Sequence, residues 1–154
     1  MLVDYFNEKQ IGLDAPANTP EEAIAVAGKL LVDSKKAKEE YIDSMIDTFH
    51  NLGPYMVIAP GIAIPHGKPG DLVNEDCICF CRLKNPVKFG NENNDPVRYM
   101  FAIGAHESGG HLDMLRELSL FLMQEGNIDR LSEINTKEEF LDLLKKGGAC
   151  IERS

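Results

Sequence analysis

The run Val57-Ile58-Ala59-Pro60-Gly61-Ile62-Ala63-Ile64-Pro65-His66-Gly67-Lys68 leaves a chain few ways to fold. Ile58, Ile62 and Ile64 favour extended backbone, and Pro60-Gly61 breaks that extension into short segments. The last segment must deliver His66 at a strand end, between a proline that fixes the preceding φ and a glycine that lets backbone or another molecule approach closely. The imidazole is thus presented in a defined direction. Taken alone, these residues read as a surface-loop histidine after a strand. A presented imidazole can equally be a nucleophile, a base or a ligand.

Helical signals precede this run. Thr19-Pro20-Glu21-Glu22 is a capping box with proline at the first helical position, and Ala23, Ala27, Leu30 and Leu31 follow at helical spacing, predicting a helix over Pro20–Asp33. Tyr41, Met45, Ile46 and Phe49 predict a second helix, ended by Gly53-Pro54. Beyond the run, 77–83 and 97–103 read as fuller strands and 84–96, rich in asparagine and glycine, as an exposed connection. After Gly109-Gly110 the residues Leu112, Leu115, Leu118 and Leu122 form an apolar stripe, predicting a helix to about residue 125. A second capping box, Thr136-Lys137-Glu138-Glu139, opens a last helix that ends at Gly147-Gly148. This order, without internal repeat, predicts an α/β fold: one domain over 1–154 with a mixed central β-sheet covered by helices.

Composition narrows the function. A net charge of −9 and a pI of about 4.9 argue against binding a nucleic-acid backbone and favour a soluble protein able to attract a basic partner. No apolar run is long enough to span a bilayer, and Met1-Leu2-Val3-Asp4 is too acidic to open a signal peptide, so a cytoplasmic location is expected. Cys77, Cys79 and Cys81 alternate along one strand and share a face, where free thiols act as small buried hydrophobes. Cys150 is expected to be structural or incidental. No metal site and no cofactor is anticipated.

The chain has four histidines, and His111 stands at the first turn of a predicted helix, after two glycines. On that helix it shares a side with Leu115, Leu118 and Leu122, so its ring belongs at the upper end of the core stripe. If His66 leaves a strand at the same end, two imidazoles meet beside a helix N-terminus, whose free amides and dipole favour an anion. Phosphate is the natural guest, and a neutral imidazole can attack phosphorus to form a labile P–N bond that passes the group onward. Phosphoryl transfer asks mainly for positioning and charge stabilisation, so no carboxylate triad is needed. Alternatively, His111 simply caps its own turn. The segment His106-Glu107-Ser108-Gly109-Gly110-His111 superficially suggests a zinc-protease helix, but its histidines are five apart and interrupted by glycines. Walker-type and G-x-G-x-x-G loops are absent, and Ser108 lacks the glycine of a nucleophile elbow.

Glu21-Glu22-Ala23-Ile24, Tyr41-Ile42 with Met45, Gly61-Ile62-Ala63-Ile64-Pro65-His66-Gly67, and His111-Leu112 through Leu118-Ser119 together span nearly the whole chain. With them it resembles the enzyme IIA components of the phosphoenolpyruvate-dependent sugar phosphotransferase system, of the mannitol/fructose type. The stretch 52–61 is closer to the ascorbate branch than to the fructose branch, which usually carries an arginine-glutamate pair followed by serine and threonine there. Asp47-Thr48-Phe49-His50 lacks the arginine expected to help hold phosphate, leaving Lys68 and His111 as candidates for positive charge, with Gly110 in the phosphate environment. The resemblance implies that His66 accepts a phosphoryl group from the phosphocarrier protein HPr and passes it to a cysteine of an enzyme IIB, while His111 stabilises the phosphorylated state. The carbohydrate then moves through a membrane IIC permease. Two other classes stay open: a regulatory phosphorelay module of the same fold, and a phosphate-ester hydrolase using His66 and His111 as acid and base.

Overall fold

The computed structural model describes residues 1–153, with side chains through Lys146. Its strands are β1 (Ile11–Ala15), β2 (Val57–Ala59), β3 (Ile62–Ala63), β4 (Cys77–Ile78), β5 (Phe80–Val87), β6 (Val97–Met100) and β7 (Ile103–Gly104). Its helices are α1 (Pro20–Asp33), α2 (Glu40–Leu52), α3 (Leu112–Met123), α4 (Asn127–Leu131) and α5 (Lys137–Arg153). Five strands form one sheet in the order β1-β5-β6-β3-β2, and β4 and β7 form a second, two-stranded one. β1 runs parallel to β5 and β3 parallel to β6, whereas the β5–β6 and β2–β3 pairs are antiparallel. The predicted mixed sheet under helices is what forms.

Period-two alternation explains why the sheet has helices on both faces. Cys77, Cys79, Cys81 and Leu83 point to the side of α1 and α2, packing with Ala23, Ile24, Ala27, Leu31, Tyr41 and Met45. Ile78 and Phe80 point the other way, towards Met114, Leu118 and Phe121 of α3 and Phe140 of α5. Phe80 stacks on Phe140 with ring centroids 4.4 Å apart. Burial pushes the Cys77 and Cys81 thiols up to about 12 and Cys79 well above its usual value, so these groups are inert apolar filling. The expected role of Cys150 falls outside the side chains described.

Local signals set the first two helices. The Thr19 hydroxyl accepts from the Glu22 amide at 3.1 Å with Pro20 at the first position, and α2 ends where Gly53 takes a φ of 73°. Several expectations need correction. The cysteine strand divides at Cys79, its halves joining different sheets, and 97–103 divides likewise at Phe101-Ala102. β5 extends through Val87 into the expected loop because Val87 pairs with Val97; a register shift leaves Lys84, Asn85 and Pro86 exposed between them. α3 stops at Met123, and its buried face is Met114, Leu118 and Phe121, with Leu112 turned to solvent. α5 runs past Gly147-Gly148, since a glycine interior to a helix costs only about 1 kcal/mol relative to alanine. β1 is missing from the sequence reading: the alternation of Ile11, Leu13 and Ala15 with Gly12 and Asp14 is too short to stand alone, and its partner β5 lies far along the chain. Among the described residues no helix is long and apolar enough to cross a membrane.

Candidate active site

β3 leads through Ile64 and Pro65 into His66, whose backbone bridges in parallel to Ile103 on β7. The Ile103 amide donates to the Pro65 carbonyl at 2.9 Å, so the histidine leaves the sheet from a fixed point. His66 Nδ1 lies 2.9 Å from the Ile64 carbonyl oxygen. A carbonyl can only accept, so Nδ1 carries the proton and the lone pair of the neutral ring resides on Nε2. The ring is exposed and lines a cleft of about 300 Å³.

His111 lines the same cleft, so the two histidines singled out from the sequence do share one cavity. His111 occupies the N-cap of α3, yet its side chain makes no capping hydrogen bond. Its Nδ1 is buried without a hydrogen-bond partner. The first helical bond runs from the Leu115 amide to the His111 carbonyl, leaving the amides of the opening turn without helical partners. The remaining lining is chiefly apolar: Tyr55, Met56, Ile58, Ile64, Ile103 and Leu115. Such walls exclude water and strengthen electrostatic contacts inside.

Lys68 is exposed and outside this lining; its amide donates to Ser44 Oγ at 3.0 Å. Gly110 also lies outside, its amide donating to the Glu107 carbonyl at 3.1 Å; a Cβ there would stand 3.0 Å from the Asp76 carboxylate. Among the described residues neither lysine nor arginine lines the cleft. His106 stays away from it, with Nδ1 2.7 Å from the Val73 carbonyl, and His50 meets Glu21 at 2.8 Å. Two neighbours of the site escaped sequence reasoning as polar groups. The Tyr41 hydroxyl, on a side chain only 1% exposed, accepts from the Gly67 amide at 2.9 Å and donates to the Ile103 carbonyl at 2.6 Å. The other is Ser44, three residues on. Hydroxyls spaced three apart at the sheet-facing side of an amphipathic helix were the available signal.

A presented imidazole nitrogen, a second imidazole and a helix N-terminus without a side-chain cap border a chiefly apolar cleft, an arrangement that could accommodate an oxyanion. The family described as "Phosphoenolpyruvate-dependent sugar phosphotransferase system, EIIA 2" matches residues 4–147. The ascorbate-specific PTS system EIIA component of Salmonella typhimurium is 35% identical over 141 residues, 91% of this chain and 92% of that one. The crystal structure of IIA mannitol from Escherichia coli has a TM-score of 0.79 at 33% identity, covering 90% of this chain and 98% of that one. The same TM-score, at 31% identity, relates the chain to enzyme IIAMTL in its complex with phosphorylated enzyme IIBMTL from Escherichia coli, over 92% of this chain and 97% of that one.

Proposed function

The chain belongs to the EIIA 2 family of the phosphoenolpyruvate-dependent sugar phosphotransferase system, and from that premise we propose that it is a histidine phosphocarrier working through His66. The carrying observation is the hydrogen bond from His66 Nδ1 to the Ile64 carbonyl, which leaves the Nε2 lone pair uncommitted on a ring that lines the cleft. In the forward step, Nε2 attacks the phosphorus of the phosphohistidine on HPr; the new P–N bond forms as the old one breaks and the HPr imidazole leaves. In the next step a cysteine thiolate of an enzyme IIB attacks the same phosphorus, and the His66 lone pair is restored. The first step exchanges one P–N bond for another and the second exchanges a P–N bond for a labile P–S bond, so the relay is reversible and depends on in-line alignment of donor and acceptor.

Charge is the main demand on the site, because a phosphoryl group brings roughly −1.5 to −2. His111 supplies a hydrogen bond to its oxygens, and the open amides of α3 add their share of the helix dipole. Lys68 and Gly110 would join only if docking reshapes their loops. The ascorbate-specific names of the relatives favour an ascorbate-like carbohydrate as the final acceptor, taken up through a membrane IIC permease while this component stays in the cytoplasm. The enzyme IIB partner is supported by the mannitol-system complex.

Intact-mass measurement after incubation with phosphoenolpyruvate, enzyme I and HPr tests this reading. One acid-labile phosphate is expected on the wild-type chain and none on His66→Ala. Absence of phosphate on wild type, with HPr itself phosphorylated, overturns it.

A further inference from the structure

We propose that Tyr41 and Ser44 of α2 are positioning residues for His66, holding the backbone that follows the histidine so that its ring keeps one aim during transfer. The inference rests on the phosphocarrier reading above. Five consecutive residues around the histidine have their backbone or ring committed. The Ile64 carbonyl takes the ring proton, the Pro65 carbonyl takes the Ile103 amide, the Gly67 amide is held by the Tyr41 hydroxyl at 2.9 Å, and the Lys68 amide by Ser44 Oγ at 3.0 Å. Ile103 acts at both ends of the segment. Its amide fixes the residue before His66 directly, and its carbonyl fixes the residue after it through the Tyr41 hydroxyl at 2.6 Å.

Beyond residue 65 the segment leaves the strand pairing, and this is where α2 takes over. Without the Tyr41 hydroxyl the part-buried Gly67 amide would lose its partner beside the apolar cleft, and without Ser44 the exposed Lys68 amide would turn to solvent and release the loop. Packing points the same way. A Cβ on Gly67 would stand 2.6 Å from Ser44 Oγ and 2.9 Å from Tyr41 Cε1, so the loop lies directly on these side chains and only glycine fits between them. Burial raises the Tyr41 phenol to about 12, so it remains a donor to Ile103 at any working pH. Tyr41 also lines the cleft, but its hydrogen bonds, like that of Ser44, go to backbone and not to the His66 ring, so both act through the loop.

Single-turnover transfer from phosphorylated HPr, followed over a range of donor concentration, tests the role in Tyr41→Phe and Ser44→Ala. The maximal rate should fall roughly 10-fold in Tyr41→Phe and about 3-fold in Ser44→Ala, with half-saturation within about twofold, because aim and not docking is disturbed. Nitrogen-15 spectra of the unphosphorylated protein give a second readout: the Nδ1–H tautomer of His66 should dominate in wild type and mix with the Nε2–H form in the variants. If both variants transfer at the wild-type maximal rate with an unmixed tautomer, the proposal is wrong. Should Tyr41→Phe fail to fold, Ser44→Ala, which loses a single hydrogen bond at a half-buried position, decides. If wild type takes no phosphate, the phosphocarrier reading falls, and the tautomer spectra still judge the positioning role separately.

Discussion

His66 Nδ1 has one partner, the Ile64 carbonyl oxygen at 2.9 Å, and that contact selects which nitrogen can act. Phosphorylation should therefore appear on Nε2, read from phosphorus–nitrogen couplings in the labelled phosphoprotein; a label on Nδ1 would require the ring to abandon Ile64. His111 has the complementary condition, a buried Nδ1 with nothing to bond. Removing one preorganised hydrogen-bond donor from a developing oxyanion costs on the order of 10²-fold in rate, so His111→Ala should keep the site of phosphorylation and lose about that much transfer rate. Gly67 is constrained differently. The Tyr41 ring behind it is buried and Ser44 Cβ would lie 3.0 Å from an added methyl, so Gly67→Ala should destabilise the fold by about 1–3 kcal/mol, measured from the shift in urea midpoint at constant slope.

At the scale of elements, what was legible in the sequence is what local chemistry decides. Thr19 and Pro20 start α1 and Gly53 stops α2 where the caps predict, because a cap needs only residues within one turn. The break at Cys79 was not legible: Cys77 and Cys81 share a face and a composition, and only the choice of partner, β7 for one half and β1 with β6 for the other, separates them. The phase of α3 was missed for a related reason. Leu112 and Leu115 fit a helical stripe as well as Met114 and Phe121 do, and the sheet decides between them. One pair also couples α1 to α2: His50 Nε2 lies 2.8 Å from Glu21 Oε2. The hydrogen bond from His50 holds the Glu21 carboxyl below its ordinary value. A carboxylate whose folded pKa is depressed contributes stability above its unfolded pKa and loses it as pH falls through the folded one. Thermal unfolding of Glu21→Gln should therefore lie slightly below wild type at pH 6 and converge with it in acid below the ordinary glutamate range, the gap being at most about 1 kcal/mol because both groups are largely exposed.

Across the whole molecule, the cleft gathers side chains from α2, the segment before β2, the exit of β3, β7 and α3, so a sequence could nominate His66 and His111 but could not supply their walls. It nominated Lys68 and Gly110 through nearness in the chain, and the fold turns both away from the lining. It gave no hint of Tyr55, which stands at the cleft with 82% of its surface exposed, beside the half-exposed Ile58. On the phosphocarrier reading proposed above, exposed apolar surface beside His66 on an acidic molecule is where a protein donor would dock. Aromatic residues at the centre of such faces carry much of the binding energy when a partner buries them. A carboxylate in the same place would be desolvated by the partner without a paired cation. Tyr55→Glu should thus raise the half-saturating concentration of phosphorylated HPr by at least about 10-fold. Thermal stability should hold, since the ring contributes little to the core, and so should the maximal rate, since His66 keeps its hydrogen bonds. The same series of transfer reactions at increasing donor concentration measures both quantities. A maximal rate that falls while half-saturation stays fixed would place Tyr55 in the chemistry and move the docking face elsewhere on the molecule.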